Sequence, residues 1–391
     1  MMAIRYSILF TLILGIGLLS GCGAEDPTSE PTVIQTPQPT TEQPAAGATA
    51  IPAEPTPDSS PEVTATLVTA VPAATDEPEV IVSPTTTARP TLATPVIQEF
   101  EVPPGSRPHD VAPAPDGSVW YTAQGSGELG RLDPATGTTV HIPLGSGSAP
   151  HGVIVGPDGA PWITDGGLNA IVRVDPVTEE VTLFPLPAGS GYANLNTAAF
   201  DAQGVLWFTG QSGVYGRLDP AEGHVELFNA PNGRGPYGIA TTPAGEVYYA
   251  SLAGSYIGRI DLASGQAQVL EPPTPGQGAR RVWSDSMGRL WVSEWNAGQV
   301  ARYDPATGEW QEWSLPGSNP QPYAVYVDDL DQVWLSDFGA NALVRFDPVQ
   351  ETFELFTLPS APANVRQILG RPGEIWGAES GVDRLVVIRT Q

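Results

Sequence analysis

The chain has 391 residues, of which 43 are acidic and 17 basic, so its formal net charge at pH 7 is −26. A surface this acidic repels a phosphate backbone, which argues against nucleic-acid binding. All 17 basic residues are arginines, and the lack of lysine excludes P-loop, Schiff-base and pyridoxal-phosphate chemistry. The single cysteine leaves no disulfide framework and no cysteine-rich metal site.

Residues 1–22 are predicted to be an export signal. Arg5 provides a positive start, and the apolar run over residues 8–19 is too short to span a bilayer. The run ends in Leu19-Ser20-Gly21-Cys22, which resembles the bacterial lipobox, whose cysteine receives a diacylglycerol and becomes the mature N-terminus. The alternative is an ordinary signal peptide that contains a cysteine. We therefore expect an exported lipoprotein of the cell envelope, held at the membrane only by a lipid on Cys22.

Residues 23–96 are predicted to be a disordered tether rich in proline and threonine. They contain no aromatic residue, and Arg89 is their only base. Such a segment cannot bury enough apolar surface to offset the entropy lost on ordering. Proline and like charges keep it extended, so we expect it to hold a domain away from the membrane.

Residues 97–391 repeat themselves seven times. An aromatic marker recurs at intervals of 41 to 45 residues, and an Arg-x-Asp motif such as Arg131-Leu132-Asp133 follows most markers. The last copy of this motif is degenerate, at Arg384. A period of about 40–45 residues indicates a repeat architecture. The markers are Trp120, Trp162, Trp207, Tyr248, Trp291, Trp334 and Trp376.

The first repeat shows four short runs that alternate apolar and polar residues. One strand is predicted between residues 111 and 119, ahead of the turn at Asp116-Gly117, and others over 119–122, 129–133 and 139–144. Four strands in each unit are typical of a propeller blade. The segment 98–103 matches the fourth strand of other units, so it can complete the last blade. We predict an all-β, seven-bladed β-propeller, closed by its N-terminal strand and monomeric.

One position in each blade is predicted to face the central channel. It lies eleven residues before the marker, and in every blade it holds a large polar side chain that can form hydrogen bonds. An ordinary solvent-exposed loop would show Ser, Gly and Asp at such a position. In the last blade the alignment slips, so that Arg366 or Asn364 fills the place. Ligands bind where equivalent loops of a propeller converge, so we expect a ligand-binding ring. Its members are His109, His151, Asn196, Tyr237, Arg280, Tyr323 and Arg366.

A second ring lies three residues after each marker and contains four carboxylates. Oxygen ligands of this kind can bind a hard divalent cation, although carboxylates near arginines are often plain ion pairs. The candidate metal ligands are Asp165, Glu294, Asp337 and Glu379.

His109 and His151 occupy the first ring in adjacent blades, in the segments Pro108-His109-Asp110-Val111 and Pro150-His151-Gly152-Val153. Imidazole is the side chain best suited to take a proton near neutral pH, so the pair could act as base and acid. The alternative is a structural hydrogen-bonding role in a polar channel.

The repeats around Pro-His-Gly-Val and Asp-Gly-x-x-Trp-Ile-Thr-Asp resemble the virginiamycin B lyase (streptogramin lyase) family. This resemblance implies a seven-bladed propeller that opens a cyclic depsipeptide antibiotic by elimination, with Mg²⁺ and a histidine base. His109 and His151 match the two family histidines, and Asp165 matches a family carboxylate. Two positions depart from the family pattern: Ala149 stands where the family has Glu, and Asn196 where it has Tyr.

Three functions are compatible with these residues. The first is a Mg²⁺-assisted lyase acting on an ester-containing or uronate-like small molecule or cyclic peptide, with His151 as base and His109 as its partner. The second is a metal-dependent lactonase or esterase that uses the carboxylate ring. The third is a non-catalytic propeller that binds a carbohydrate, peptide or protein.

Overall fold

The structure, a computed structural model, describes residues 95–390. The predicted signal, Cys22 and nearly all of the predicted tether lie outside this range. Every regular element within the range is a β-strand, 28 in all. No helix in these residues is long and apolar enough to cross a membrane.

The strands form seven four-stranded antiparallel sheets, which confirms the predicted propeller. The first strand of each sheet is innermost, and these inner strands neighbour one another around the axis. The first three blades are β2 (Pro108–Pro113), β3 (Val119–Ala123), β4 (Glu128–Asp133) and β5 (Thr138–Pro143); β6 (Pro150–Val155), β7 (Pro161–Asp165), β8 (Ala170–Val174) and β9 (Val181–Pro185); and β10 (Leu195–Phe200), β11 (Leu206–Gly210), β12 (Val214–Asp219) and β13 (His224–Asn229).

The remaining four blades follow the same plan. They are β14 (Pro236–Thr241), β15 (Val247–Ser251), β16 (Tyr256–Ile260) and β17 (Ala267–Leu270); β18 (Ala279–Ser284), β19 (Leu290–Glu294), β20 (Gln299–Asp304) and β21 (Glu309–Ser314); β22 (Pro322–Val327), β23 (Val333–Asp337), β24 (Ala342–Asp347) and β25 (Thr352–Thr357); and β26 (Val365–Arg371), β27 (Glu374–Glu379) and β28 (Arg384–Arg389), completed by β1 (Val96–Glu101).

The N-terminal strand closes the ring, as predicted. β1 pairs antiparallel with β28 along its whole length, with Phe100 opposite Leu385. Glu99 of β1 also accepts hydrogen bonds from the backbone and hydroxyl of Ser360, and Arg384 pairs with it. The first and last strands of the chain are thus joined in one sheet, and this pairing closes the ring of blades.

The two landmarks of the repeat lie opposite each other in the first six blades, whereas Trp376 of the last blade faces Val387. Trp120 on the second strand is the cross-strand partner of Arg131 on the third, and the guanidinium carbon lies 5.1 Å from the ring centroid. Arg131 also pairs with Asp116 of the preceding turn. The buried marker therefore gains a cation–π contact, and the arginine gains a carboxylate at the outer surface. Trp162 and Arg173 repeat this arrangement in the next blade.

A hydroxyl two residues after the marker links neighbouring blades. Thr122 Oγ1 accepts a hydrogen bond from the backbone N–H of Asp110, where the inner strand is bulged, and donates to the carbonyl of His151 in the next blade, both at 2.9 Å. Ser293 makes the equivalent bonds to Arg281 and Tyr323. Thr164 and Thr209 also reach the next blade's carbonyl. These bonds fix the backbone of the residues that face the channel.

We predict that Thr122→Val, which keeps the shape of the side chain, destabilises the propeller by about 1–3 kcal/mol, because a buried N–H and a buried carbonyl both lose their partner. Urea unfolding of the two proteins measures the difference in free energy of unfolding. Thr352→Val, at an exposed position of β25, is the matched control and should change stability by less than about 0.5 kcal/mol. Equal effects of the two substitutions would contradict a linking role for the hydroxyl.

Candidate functional site

The seven predicted ring residues occupy the second position of the seven inner strands, all at the same edge of the sheets. The structure brings most of them into contact. The imidazole centroids of His109 and His151 are 3.7 Å apart, the ring of His151 lies 5.9 Å from that of Tyr237, and Tyr237 lies 6.0 Å from Tyr323. In the last blade Arg366, not Asn364, takes this position. Most residues of the first predicted ring therefore form one continuous polar cluster at the channel mouth.

The two histidines are buried and held by their Nδ1 atoms. His109 Nδ1 lies 2.7 Å from Oδ1 of Asp110, and His151 Nδ1 lies 3.0 Å from the backbone carbonyl of Asn196. A carbonyl oxygen only accepts, so His151 carries its proton on Nδ1, and a carboxylate at Asp110 assigns the same tautomer to His109. Each Nε2 then presents a lone pair, and neither makes a hydrogen bond to another described residue.

The surroundings keep both imidazoles neutral. Burial lowers the pKa of His109 well below its usual value, and the charges of Arg366, Arg281 and Arg280 lower this pKa further. Burial also lowers the pKa of His151, with His109 as the next cause. A neutral imidazole is the form that accepts a proton, so the pair is in its basic form at neutral pH.

The opposite side of the mouth carries two phenols between two guanidiniums. Arg280 donates to the hydroxyl of Tyr237 at 3.2 Å, the two tyrosine hydroxyls are hydrogen-bonded to each other, and Arg366 donates to Tyr323 at 3.5 Å. Burial alone would raise the pKa of the Tyr323 phenol, but Arg280, Arg281 and Arg366 outweigh it and lower this pKa below its usual value. The four side chains form one hydrogen-bonded chain with a net positive charge.

Asp110 and Arg281 form a buried ion pair across the channel that sequence reasoning missed. Arg281 donates to Asp110 Oδ1 at 3.1 Å, although the two residues lie in the first and fifth blades. Each follows a ring residue directly on its inner strand, and both are almost fully buried. A charged residue at a position that the other five blades fill with the uncharged residues Gly, Thr, Ala or Gln was the available signal. The pair places a carboxylate beside His109 and a third guanidinium beneath the tyrosines.

The four predicted metal ligands do not come together in the described part of the chain. Asp165 accepts bonds from the hydroxyl of Ser148 and from two backbone N–H groups of its own loops. Asp337 likewise accepts from the N–H groups of Gln321 and Gly339. These two carboxylates hold loops in place.

Glu294 and Glu379 are buried in different blades. Burial raises the pKa of each carboxyl to about 8, so both are largely protonated at neutral pH. Glu379 lies close enough to Glu99 for the second charge to add to this effect.

The residues present do not fit Mg²⁺, which takes oxygen ligands in octahedral geometry. Within residues 95–390 the one group of three metal-ligating side chains is His109, Asp110 and His151. It offers a single carboxylate, whose Oδ1 is already bonded to Arg281 and lies against His109. Three arginines close to this group also disfavour a divalent cation. The Glu that the resemblance implies at position 149 is alanine.

We predict that Glu379→Gln stabilises the protein at alkaline pH. The folded-state pKa of about 8 exceeds the ordinary value of 4.5 for a glutamate, so the folded state binds more protons between these values, and the free energy of unfolding falls as pH rises through this window. Glutamine carries no titrating proton. It should therefore flatten this slope and raise the stability at pH 9 by more than about 1 kcal/mol. Denaturant unfolding at pH 5 and pH 9 tests this, with the exposed Glu309→Gln as control. An unchanged slope would contradict the assignment.

The comparisons with known proteins agree with this fold. A virginiamycin B lyase from Staphylococcus aureus is 20% identical, with a TM-score of 0.70 over 76% of this chain and 99% of its own. A catalytically inactive form of that enzyme with quinupristin is 21% identical, with the same TM-score and coverage. A structure of YCF48 bound to D1 peptide is 17% identical, with a TM-score of 0.61 over 75% of this chain and 97% of its own. At these identities the likeness shows the fold alone.

No curated protein sequence matches this chain. The family model of the virginiamycin B lyases matches residues 85–306, more than half of the sequence, and includes both histidines and Arg280. By this match the chain belongs to the virginiamycin B lyase family.

Proposed function

We propose that this protein is a lyase that breaks a carbon–oxygen bond by elimination at the mouth of its central channel. The observation that supports this most is the buried pair His109 and His151, whose Nδ1 atoms are occupied and whose Nε2 atoms are not. Family membership supports the same class of reaction.

His151 is the proposed base. It is more exposed than His109, at 8% against 3%, and its ring is fixed by the Asn196 carbonyl. Two imidazolium ions with centroids 3.7 Å apart would repel each other, so the pair takes up one proton at a time. His109, held by Asp110, is its partner and a contact for the substrate.

In this reaction Nε2 of His151 removes the proton on the carbon beside a carbonyl group. The electron pair of that C–H bond forms a carbon–carbon double bond, and the bond from the next carbon to oxygen breaks. An ester oxygen leaves as a carboxylate and needs no proton, whereas an alkoxide takes one from a tyrosine hydroxyl. Arg280 and Arg366 would stabilise the negative charge that develops on the carbonyl oxygen. No step requires a metal ion.

Cys22 is the proposed membrane anchor of this lyase, on the sequence pattern that precedes it. The mature chain would then work at the cell envelope, with a small-molecule or cyclic ester as substrate.

Replacing the proposed base should abolish elimination. We expect His151→Ala to lower kcat/KM by about 10²–10⁴-fold, the usual contribution of a general base, and His109→Ala to lower it as well. The assay incubates the full-length chain with a streptogramin B and with a panel of lactones and reads the product mass. Ring opening at unchanged mass is elimination, and the gain of one water is hydrolysis.

His224→Ala, at an exposed position on β13, is the matched control and should retain full activity. Chelation by EDTA should leave the elimination rate unchanged. Hydrolysis, or an elimination that survives in His151→Ala, would contradict the proposal. Loss of the reaction in EDTA would contradict its metal independence.

The anchor can be tested in cells. We expect the intact chain to fractionate with membranes and its mature N-terminal peptide to carry the mass of a diacylglyceryl group on Cys22. Cys22→Ser should remove both, because serine has no thiol to modify. A soluble wild-type protein cleaved at another position would contradict this.

A further inference from the structure

The channel mouth carries positive charge that the protein does not neutralise. Arg131 and Arg173 pair with the carboxylates of two surface turns, Asp116 and Asp158, and Arg281 pairs with Asp110. Arg280 and Arg366 pair with no carboxylate of the described residues. Arg280 is mostly buried, and its Nε is buried without a hydrogen-bond partner within residues 95–390. Unpaired buried charge is costly, and this chain has a large excess of acids that could have paired with it.

Both free guanidiniums point to one place. Arg280 contacts the Tyr237 hydroxyl and Arg366 the Tyr323 hydroxyl, while the two hydroxyls bond to each other. The guanidinium carbon of Arg280 lies 3.6 Å from the centroid of the Tyr323 ring, and that of Arg366 lies 5.8 Å from it. Two guanidiniums on one hydrogen-bonded pair of phenols suit an oxyanion with two acceptor oxygens, which arginine binds through paired N–H groups.

An aromatic surface adjoins this positive charge on one side of the mouth. Trp295 lies edge-on to Tyr323 and to Phe338, and Tyr323 stacks on Phe338 with centroids 4.9 Å apart. Arg280 lies 4.8 Å from the centre of Trp295. Trp295 and Phe338 are half-buried, and they follow the second strands of two adjacent blades. The equivalent positions of the other five blades hold no aromatic residue. Partly exposed aromatic rings of this kind pack against the apolar face of a ring-shaped ligand.

Asn196 adds an uncharged polar group to the same ring. Its side chain is completely buried, yet neither its amide nitrogen nor its amide oxygen has a hydrogen-bond partner in the described residues. An amide can donate to one hydroxyl and accept from another. A polyhydroxylated ligand in the channel would satisfy both atoms.

We infer that the substrate is a uronate, a sugar ring that carries a carboxylate, bound with this carboxylate between Arg280 and Arg366 and with its ring against Trp295 and Phe338. This inference rests on the proposed lyase for the reaction, although the binding itself can be measured without turnover. The proton beside an ionised carboxylate is a weak acid, and pairing the carboxylate with two guanidiniums makes its removal easier.

The elimination balances on such a substrate. His151 Nε2 takes the proton from the carbon that bears the carboxylate, the electron pair becomes a carbon–carbon double bond, and the glycosidic carbon–oxygen bond at the next carbon breaks. The departing alkoxide takes a proton from the hydroxyl of Tyr237 or Tyr323, which water then restores. The product is an unsaturated uronate and a shortened sugar chain, with no oxidant or co-reactant consumed.

The test compares trigalacturonate with its fully methyl-esterified form, which keeps the sugar rings and removes the charge. Calorimetric titration of the full-length chain should show binding of trigalacturonate and at least about tenfold weaker binding of the ester. Arg280→Gln and Arg366→Gln should each weaken trigalacturonate binding by about tenfold or more. Arg280→Lys, which keeps the charge but not the planar fork, should weaken it less. Thermal unfolding of each variant checks that it is folded.

Arg234→Gln is the matched control, because Arg234 is exposed and unpaired in the described structure and lies at the start of a blade. If any arginine simply attracted the anion through its charge, Arg234→Gln would weaken trigalacturonate binding as much as Arg280→Gln. We expect Arg234→Gln to change this affinity by less than twofold. No binding of trigalacturonate, equal binding of the ester, or binding unaffected by both arginine substitutions would overturn the inference.

The double bond of the product is conjugated with its carboxylate and can be followed by ultraviolet absorbance. Charge-dependent, arginine-dependent binding without this product would support the uronate site and overturn the proposed lyase activity. Product formed at the wild-type rate by both Arg→Gln variants would support the lyase activity and overturn the proposed uronate site.

Discussion

The hydrogen bond from a threonine or serine hydroxyl to the next blade's backbone is the contact on which the site depends. The ring residues belong to seven separate sheets, and no strand ladder joins one sheet to the next. Thr122 connects the bulge at Asp110 to the carbonyl of His151, so the two histidines keep their spacing across a blade boundary. Because these bonds use only backbone groups of the inner strands, the ring side chain is free to vary from blade to blade.

That freedom explains how one repeated unit produces an asymmetric site. Blades one and two contribute the histidines, and blades four to seven contribute the tyrosines and arginines. The Asp110–Arg281 ion pair joins these two sides across the axis. It leaves one side of the mouth able to accept a proton and the other rich in hydrogen-bond donors. A single symmetric ring of identical side chains could not separate these roles.

The electrostatics of the mouth are opposite to those of the chain as a whole. The protein carries 43 acids, yet the described residues around the two histidines include three arginines and one carboxylate. The same arginines lower the pKa values of His109 and of the Tyr323 phenol. An anion entering the channel therefore moves from a repelling surface to an attracting site, which favours ligands that the aromatic surface and the polar groups can also recognise.

The sequence by itself determined the fold, because the period of 41 to 45 residues and the alternating strands recur in every blade and leave one N-terminal strand to complete the last. It also determined the register of the channel-facing ring, since equivalent repeat positions occupy equivalent places around the axis. It did not reveal the use of each carboxylate. Asp165 and Asp337 share a repeat position with Glu294 and Glu379, and all four are buried. The first two accept hydrogen bonds from loop N–H groups, whereas burial raises the pKa of the last two carboxyls. Only the tertiary structure decided this, and with it the Asp110–Arg281 pair, because these contacts depend on loop paths and on distances across the ring that no local pattern encodes.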